Sequence, residues 1–564
     1  MRKSALVACL SLSLILTFSF AIAKTAHRVA STASTHLPPA AFDAMKKIDA
    51  ERIRAHVGFL SHDLLEGRGT GQRGGDIAAE YIASQFLSDH LVPAGENGTF
   101  FQKVPMVGIT PAPETTFELV STKGESMKLT PLEEYVAYDH TQRATDDIDA
   151  GIVYVGYGIE APEYQWDDYK GVDVRGKVLM MLVNEPSSSD PNFFKGRALT
   201  YYGRWTYKYE EAAGRGAVGV ILVHKTEMAS YPWEVVRNSN SGEASFLKSD
   251  APQLKTAGWI HLEVARKLAQ ASGTDIEKMM ADANSRSFHP VSLPVKLKAH
   301  MVSKIRTFSS NNVLAILPGL DPNLKKEAVV YTAHYDHLGI RPDMPGDNIY
   351  NGARDNATGS AIVLELAHVF SQAQSKPRRS ILFASVTGEE QGLLGSEYLG
   401  KHPPMPAGKI SLDLNFDDIP PLGEPEEVEV SGAERTNFYP AVVGMAGDFR
   451  LAIRADSHPE AGHYYRSDHF SLARVGVPSF SMNEGMKYKG HNSDWGMQQA
   501  EEYTTKHYHQ PSDEYEPSMN FAGDAVMARF GFALGWVAAS QPSLVEWQAG
   551  DEFEAARKQS QGSH

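Results

Sequence analysis

The chain has 564 residues, 42% hydrophobic and 22% charged, so it holds enough apolar material for packed cores and lacks the charge excess of a disordered chain. Its 54 basic and 69 acidic residues give a formal charge of −15, which argues against a large polyanion as partner, so no nucleic acid is expected. At ~100–200 residues per domain, the length suggests two to four domains, or one large catalytic domain with an insertion.

In chain order, Arg2 and Lys3 precede an apolar run over residues 5–23 that ends in Ala21-Ile22-Ala23, the pattern of a cleaved secretory signal peptide. An uncleaved anchor is the alternative, since such a run could just span a bilayer. Cleavage after Ala23 removes Arg2, Lys3 and the only cysteine, Cys9, and takes the formal charge to −17. A secreted or periplasmic protein without disulfides and without stable membrane insertion is then expected, held by packing or by metal.

Residues 53–65 and 76–87 read as helices around the turn Gly67-Arg68-Gly69-Thr70-Gly71. No apolar strand feeds that turn and no Lys-Ser/Thr pair follows it, so it does not read as a phosphate cradle. Beyond residue 150, apolar runs at 151–158, 176–183 and 217–224 predict a β-rich module with helices at 207–215 and 262–271. We place this insert at 136–295, between an N-terminal part of the main domain at 24–135 and its larger part at 296–545, with a tail at 546–564. Within 296–545, the strand-like runs 312–317, 328–333 and 380–387 alternate with helices at 359–371 and from 392. Strands that are apolar throughout and alternate with helices predict an α/β fold with a mostly parallel or mixed central sheet flanked by helices. In such sheets the ligand sits at the carboxyl ends of the strands.

Five polar motifs fall at or near those ends. The run 329–333 leads into His334-Tyr335-Asp336-His337, where an imidazole could bind metal while a carboxylate fixes its ring. Asp355 lies in Asn351-Gly352-Ala353-Arg354-Asp355-Asn356-Ala357-Thr358-Gly359, just before a helix. The run 381–386 ends in Gly388-Glu389-Glu390, two adjacent glutamates that repel unless a cation compensates them. A further strand, 410–416, delivers Asp417 and Asp418, and His509 sits in the turn Tyr508-His509-Gln510-Pro511-Ser512-Asp513. Singly, each has an ordinary explanation as helix cap, solvated acid or core histidine; together they suggest a metal site. Two imidazoles and three carboxylates form a mixed N/O donor set suited to zinc ahead of manganese or cobalt. Two Zn2+ ions would balance three carboxylates and one shared hydroxide, whereas one would leave the site negative. The pair His458 and His463 is five residues apart with Pro459 and Gly462 between, which cannot give one helical face, and reads as a surface loop. There is no G-x-S-x-G elbow, and the mature chain has no thiol nucleophile.

These motifs, in this order, resemble those of the M28 family of co-catalytic zinc aminopeptidases. The segments Leu60-Ser61 to Gly67-Arg68 and Phe101-Gln102-x-Val104-Pro105 resemble that family's amino-terminal stretch, and residues 170–178 and 216–221 resemble a protease-associated (PA) insert. The resemblance spans residues 50–540 and implies the zinc exopeptidase fold. It implies His334 and Asp417 on one zinc, Glu390 and His509 on the other, and Asp355 bridging both. Glu389 would be the general base for a metal-activated hydroxide, Asp336 would orient His334, and Tyr508 would hydrogen-bond the tetrahedral intermediate. A cis peptide between Asp355 and Asn356 is also implied. Ser467-Asp468-His469 resembles a family loop beside the substrate pocket. The function expected is an exported dizinc exopeptidase that removes N-terminal residues from peptides. The alternatives are a carboxypeptidase on the same scaffold, with Arg354 or Arg466 meeting the substrate carboxylate, and a catalytically silent peptide-binding protein.

Overall fold

The computed structural model describes residues 37–562 other than 230, 250–252 and 343; the expected export signal at 1–23 lies outside these residues. Its architecture turns on one long strand, Val291–Leu317. In its first half, Leu293, Val295, Leu297, Ala299 and Met301 are buried while Lys296, Lys298 and His300 face solvent, the period-two pattern of a sheet wet on one side. Its last residues, from Val313, are apolar and almost wholly buried, as befits a strand covered on both faces.

The first half pairs with Thr116–Ser121 on one side and Thr145–Tyr154 on the other, in a sheet that continues through Val178–Leu182, Gly219–Val223, Thr256–Ile260 and Tyr135–Tyr138. Helices Trp205–Gly214 and Leu262–Ala271 occur close to the expected spans. The second sheet thus takes in Thr116–Ser121, upstream of residue 136, and its long strand runs straight through residue 295. A change in composition marks where the environment changes, and here one strand serves both environments without a break.

The second half pairs with Phe101–Pro111 and with Ser380–Val386, both antiparallel. From Ser380–Val386 the sheet continues in parallel through Ala328–His334, Ile410–Phe416 and Ser479–Glu484, then turns antiparallel at Glu427–Ser431. This is the mixed, largely parallel sheet that strand and helix alternation predicts. Along Ala328–His334, Val329, Tyr331 and Ala333 pack with Gly359–Gln372 and Ala522–Ser540, while Ala328 and Val330 pack on the opposite face with Leu399 and Leu472. Helices therefore cover both faces of this strand. Among the described residues, no helix is long and apolar enough to cross a membrane.

Candidate metal centre

Three parallel strands end side by side and deliver His334, Glu389-Glu390 and Asp417. His334 is the last residue of its strand, and Ser360 Oγ donates to its carbonyl. After Ser380–Val386, Gly388 takes a left-handed backbone (φ 69°), which breaks the alternation of faces and lets two consecutive glutamates approach one site. Asp355 sits in the turn before helix Gly359–Gln372, and its peptide bond to Asn356 is cis. Asn356 ties this turn to the neighbouring strand end: its Nδ2 donates to Phe416 O, and its Oδ1 accepts from the amides of Gly359 and Asp418. At Gly359 the approach is so close that a Cβ would lie 2.2 Å from Phe416 O, so no other residue fits. Asp513 holds the turn from the other side, since its two carboxylate oxygens accept from the amides of Arg354 and Asp355. His509, four residues earlier, is carried in by that same turn, with a left-handed backbone (φ 56°).

The result is two groups of ligand atoms sharing one carboxylate. His334 Nε2 lies 3.0 Å from Asp417 Oδ1 and 3.3 Å from Asp355 Oδ1. His509 Nε2 lies 3.1 Å from Glu390 Oε2 and 3.3 Å from Asp355 Oδ2. Glu389 stands beside the first group, with Oε2 4.0 Å from His334 Nε2. Asp418 is turned away and pairs with Arg354 at 2.6 Å, so Asp417 is the aspartate that the structure brings to His334. Asp336 meets His334 through its backbone: Nδ1 is 3.2 Å from Asp336 O and 3.8 Å from Oδ1, while the carboxylate accepts from Thr70 Oγ1 and the Glu389 amide. Tyr508 stacks on His509 with ring centres 3.9 Å apart and is 44% exposed. Ser467 Oγ donates to Asp417 Oδ2 at 2.5 Å, and Asp468 is buried with both oxygens unpartnered. His458 and His463 are exposed, in a surface loop.

The electrostatics are those of a site built for cations. Burial disfavours charge on His334, but Asp417, Glu389 and Asp355 hold its imidazolium well above the usual range. His509 is held up in the same way, against burial, by Glu390 and Asp355. Burial opposes ionisation of Asp355 too, yet hydrogen bonds from His334 and His509 keep its carboxylate well below the ordinary value. Glu390 is lowered to about 2, against burial, chiefly by His509. Burial, with Asp417 and Glu390 nearby, pushes Glu389 the other way, well above its usual range. Among the described residues, none of Asp355, Glu390 and Asp417 pairs with a lysine or arginine. Buried carboxylates in that position need compensation, and their donor set of imidazole nitrogens and carboxylate oxygens fits zinc.

Two residues that sequence reasoning did not assign belong to this centre. His337 is fully buried with Nδ1 2.6 Å from Glu390 Oε1 and 4.0 Å from Asp355 Oδ2, and its ligand atom groups with theirs as closely as His334 does with Asp355 and Asp417. Its adjacency to Asp336 was the available signal. Arg68 is also fully buried and donates to the carbonyls of Tyr335, Leu60, Asn351 and Gly352. Nothing local marks that role, because the partners lie up to 284 residues away.

Residues 312–529 match the model of "Peptidase family M28". A "Probable zinc metalloprotease" of Pyrenophora teres f. teres is 34% identical over 170 residues, which is 28% of this chain and 29% of that protein. "Aminopeptidase YwaD" of Bacillus subtilis is 28% identical over 233 residues, 40% of this chain and 46% of the relative. The alignments thus span less than half the length of these two relatives. In fold, the chain is similar to an aminopeptidase from Aneurinibacillus sp. strain AM-1, with a TM-score of 0.51 at 19% identity, covering 89% of this chain and 97% of that one. The strand-end motifs, the sheet order and the match to peptidase family M28 all fall on one region, residues 312–529.

Proposed function

We propose that this chain is a dizinc aminopeptidase that removes N-terminal residues from peptides. The observation that carries the reading is Asp355, whose two oxygens face separate groups of ligand atoms at equal distances of 3.3 Å. His334, Asp417 and Asp355 would hold one zinc, and Glu390, His509 and Asp355 the other. Zinc supplies Lewis acidity and a lowered water pKa at such a site. Glu389 takes the proton of the attacking water and returns it to the leaving amine; its position beside the first group and its raised proton affinity suit both transfers. Asp336 fixes the His334 ring through its carbonyl and the Glu389 backbone through its carboxylate. Tyr508, partly exposed and stacked on His509, would hydrogen-bond the tetrahedral intermediate.

The test is metal content together with peptide cleavage. Purified protein should bind two zinc ions per chain, lose cleavage of aminoacyl anilides on chelation and regain it with zinc. Full cleavage after exhaustive chelation, with no metal detectable, would overturn the reading. Release of C-terminal residues only would point to a carboxypeptidase, and zinc binding without any cleavage to a binding protein. We further propose export with cleavage after Ala23, which N-terminal sequencing of the mature protein tests.

A further inference from the structure

Strand Ile410–Phe416 is buried from end to end, yet it carries two polar side chains, Asp413 and Asn415, which alternation puts on one face. On the neighbouring strand Thr332 pairs with Asn415, and its Oγ1 stands 2.9 Å from Asp413 Oδ1 and 2.9 Å from Asn415 Oδ1. The other end of the Asn415 amide, Nδ2, lies 2.8 Å from Ser467 Oγ, and Ser467 Oγ lies 2.5 Å from Asp417 Oδ2. Four hydrogen bonds thus run from a buried acid to the aspartate whose other oxygen faces His334.

Each of these bonds needs one proton between its two heavy atoms, and the three middle residues cannot supply them all. Thr332 and Ser467 have one hydroxyl proton each, and Asn415 donates at one end of its amide and accepts at the other, so three protons are offered to four bonds. Turning the amide over leaves that count unchanged. The fourth proton therefore sits on a carboxyl at one end of the chain, Asp413 or Asp417. Asp417 has to be ionised to hold a metal. Asp413 is under the opposite pressure: its Oδ2 is sealed from solvent without a hydrogen-bond partner, and among the described residues it forms no ion pair. The groups around it bring no positive charge, since Asp468 is another buried acid, and Ser479, opposite it on the next strand, donates its proton to Val477 O. A carboxylate there would keep its cost of desolvation, which a neutral carboxyl avoids. Burial, opposed by the Thr332 bond and helped by Asp468, pushes Asp413 up to about 8. With the proton on Asp413 every bond points one way, from Asp413 to Thr332, from Thr332 to Asn415 Oδ1, from Asn415 Nδ2 to Ser467 and from Ser467 to Asp417.

Resting on the peptidase reading, we propose that Asp413 is a positioning residue for the metal centre. As a neutral carboxyl it starts a one-way chain of hydrogen bonds through Thr332, Asn415 and Ser467 that holds the second oxygen of Asp417 and so aims the first at the metal.

Two measurements on the full chain test this. The first, on metal-free protein at pH 7, is the infrared difference spectrum between wild type and Asp413→Asn, which should show the carbonyl stretch of a protonated carboxyl in wild type alone. An amide N–H can replace the carboxyl O–H toward Thr332, so Asp413→Asn should also bind zinc within about threefold of wild type. No such band in wild type, or an Asp413→Asn chain that fails to fold or binds zinc much more weakly, overturns the proposal, because an amide stands in for a neutral acid and not for a carboxylate. The second is zinc affinity in Thr332→Val, which keeps the shape and cuts the chain, and in Thr332→Ser, which keeps the hydroxyl. The first variant should lose about 10- to 100-fold and the second about threefold or less. A merely structural Thr332 would change melting temperature but leave zinc affinity equal in the two variants, and that result also overturns the proposal. If Thr332→Val does not fold, Ser467→Ala cuts the last link of the chain and carries the same expectation. A protein that shows the band and this pattern of zinc affinities but cleaves no peptide would sink the peptidase reading and leave the chain of bonds standing.

Discussion

Arg68 offers the most direct test of how the centre is held. Its Nε donates to Tyr335 O at 2.7 Å, Nη1 to Leu60 O and Asn351 O at 2.6 Å each, and Nη2 to Gly352 O at 2.8 Å. Tyr335 lies between His334 and Asp336, and Asn351-Gly352 leads into the turn that carries Asp355, so one guanidinium fastens two ligand-bearing segments to helix Ala50–Leu60. Arg68→Met keeps most of the side-chain volume but leaves four buried carbonyls without this donor. Each lost charge-assisted bond is worth about 1.5–3 kcal/mol, while removal of a buried cation gives part of that back, so a net loss of about 3–5 kcal/mol is expected. At an unfolding entropy of roughly 2 cal/mol/K per residue, a chain of this size should melt about 3–5 °C lower.

The assay is thermal melting at a fixed scan rate on the zinc-loaded protein, with zinc affinity measured in parallel. Affinity should fall about 10- to 100-fold, as for other residues that orient metal ligands. Arg73→Met is the control, because Arg73 is exposed and bonds only Glu66; it should move neither quantity. An Arg68→Met protein that melts within 1 °C of wild type and binds zinc normally would refute the clamp.

Three further outcomes are expected. Glu389→Gln should keep its zinc while kcat falls about 10²- to 10⁴-fold, whereas Glu390→Gln should lose zinc together with activity; metal analysis and kinetics on both variants would expose a reversal of the two roles. Chelation should lower the melting temperature and zinc should restore it, because metal that binds only the folded state stabilises it; calorimetry with and without chelator checks this. His56, buried with Nδ1 2.8 Å from Tyr81 Oη, is lowered from 6.5 to about 4, mainly by burial and then by Arg52. Its contribution to stability is therefore present above pH 6.5 and lost as pH falls toward 4, so His56→Gln should lose about 2 kcal/mol less than wild type between pH 7 and pH 5 in denaturant titrations.

What was legible in the sequence, and what was not, follows from the range of the interactions involved. The strands 328–334, 380–386 and 410–416 are readable because each is a continuous apolar run, and burial on both faces demands that locally. Candidate ligands are readable because such strands end in polar residues that the sheet then sets side by side. The choice between Asp417 and Asp418 is not readable from strand periodicity. Alternation holds only up to Phe416; beyond it Asp418 adopts a left-handed backbone (φ 59°), and that turn, not the strand, sends its side chain to Arg354. At the expected boundary near 295, one uninterrupted strand, Val291–Leu317, passes from a half-wet sheet into a covered one. The partners of Arg68, His337 and Asp513, by contrast, lie beyond local reading. Arg68 meets Gly352 across 284 residues, His337 meets Glu390 across 53, and Asp513 meets Asp355 across 158. Ligands are visible locally because each needs only its own residue type at a strand end, whereas the residues that orient them are chosen by what the fold brings near. Substitutions at those three positions should therefore disturb the metal centre while leaving its ligand motifs intact.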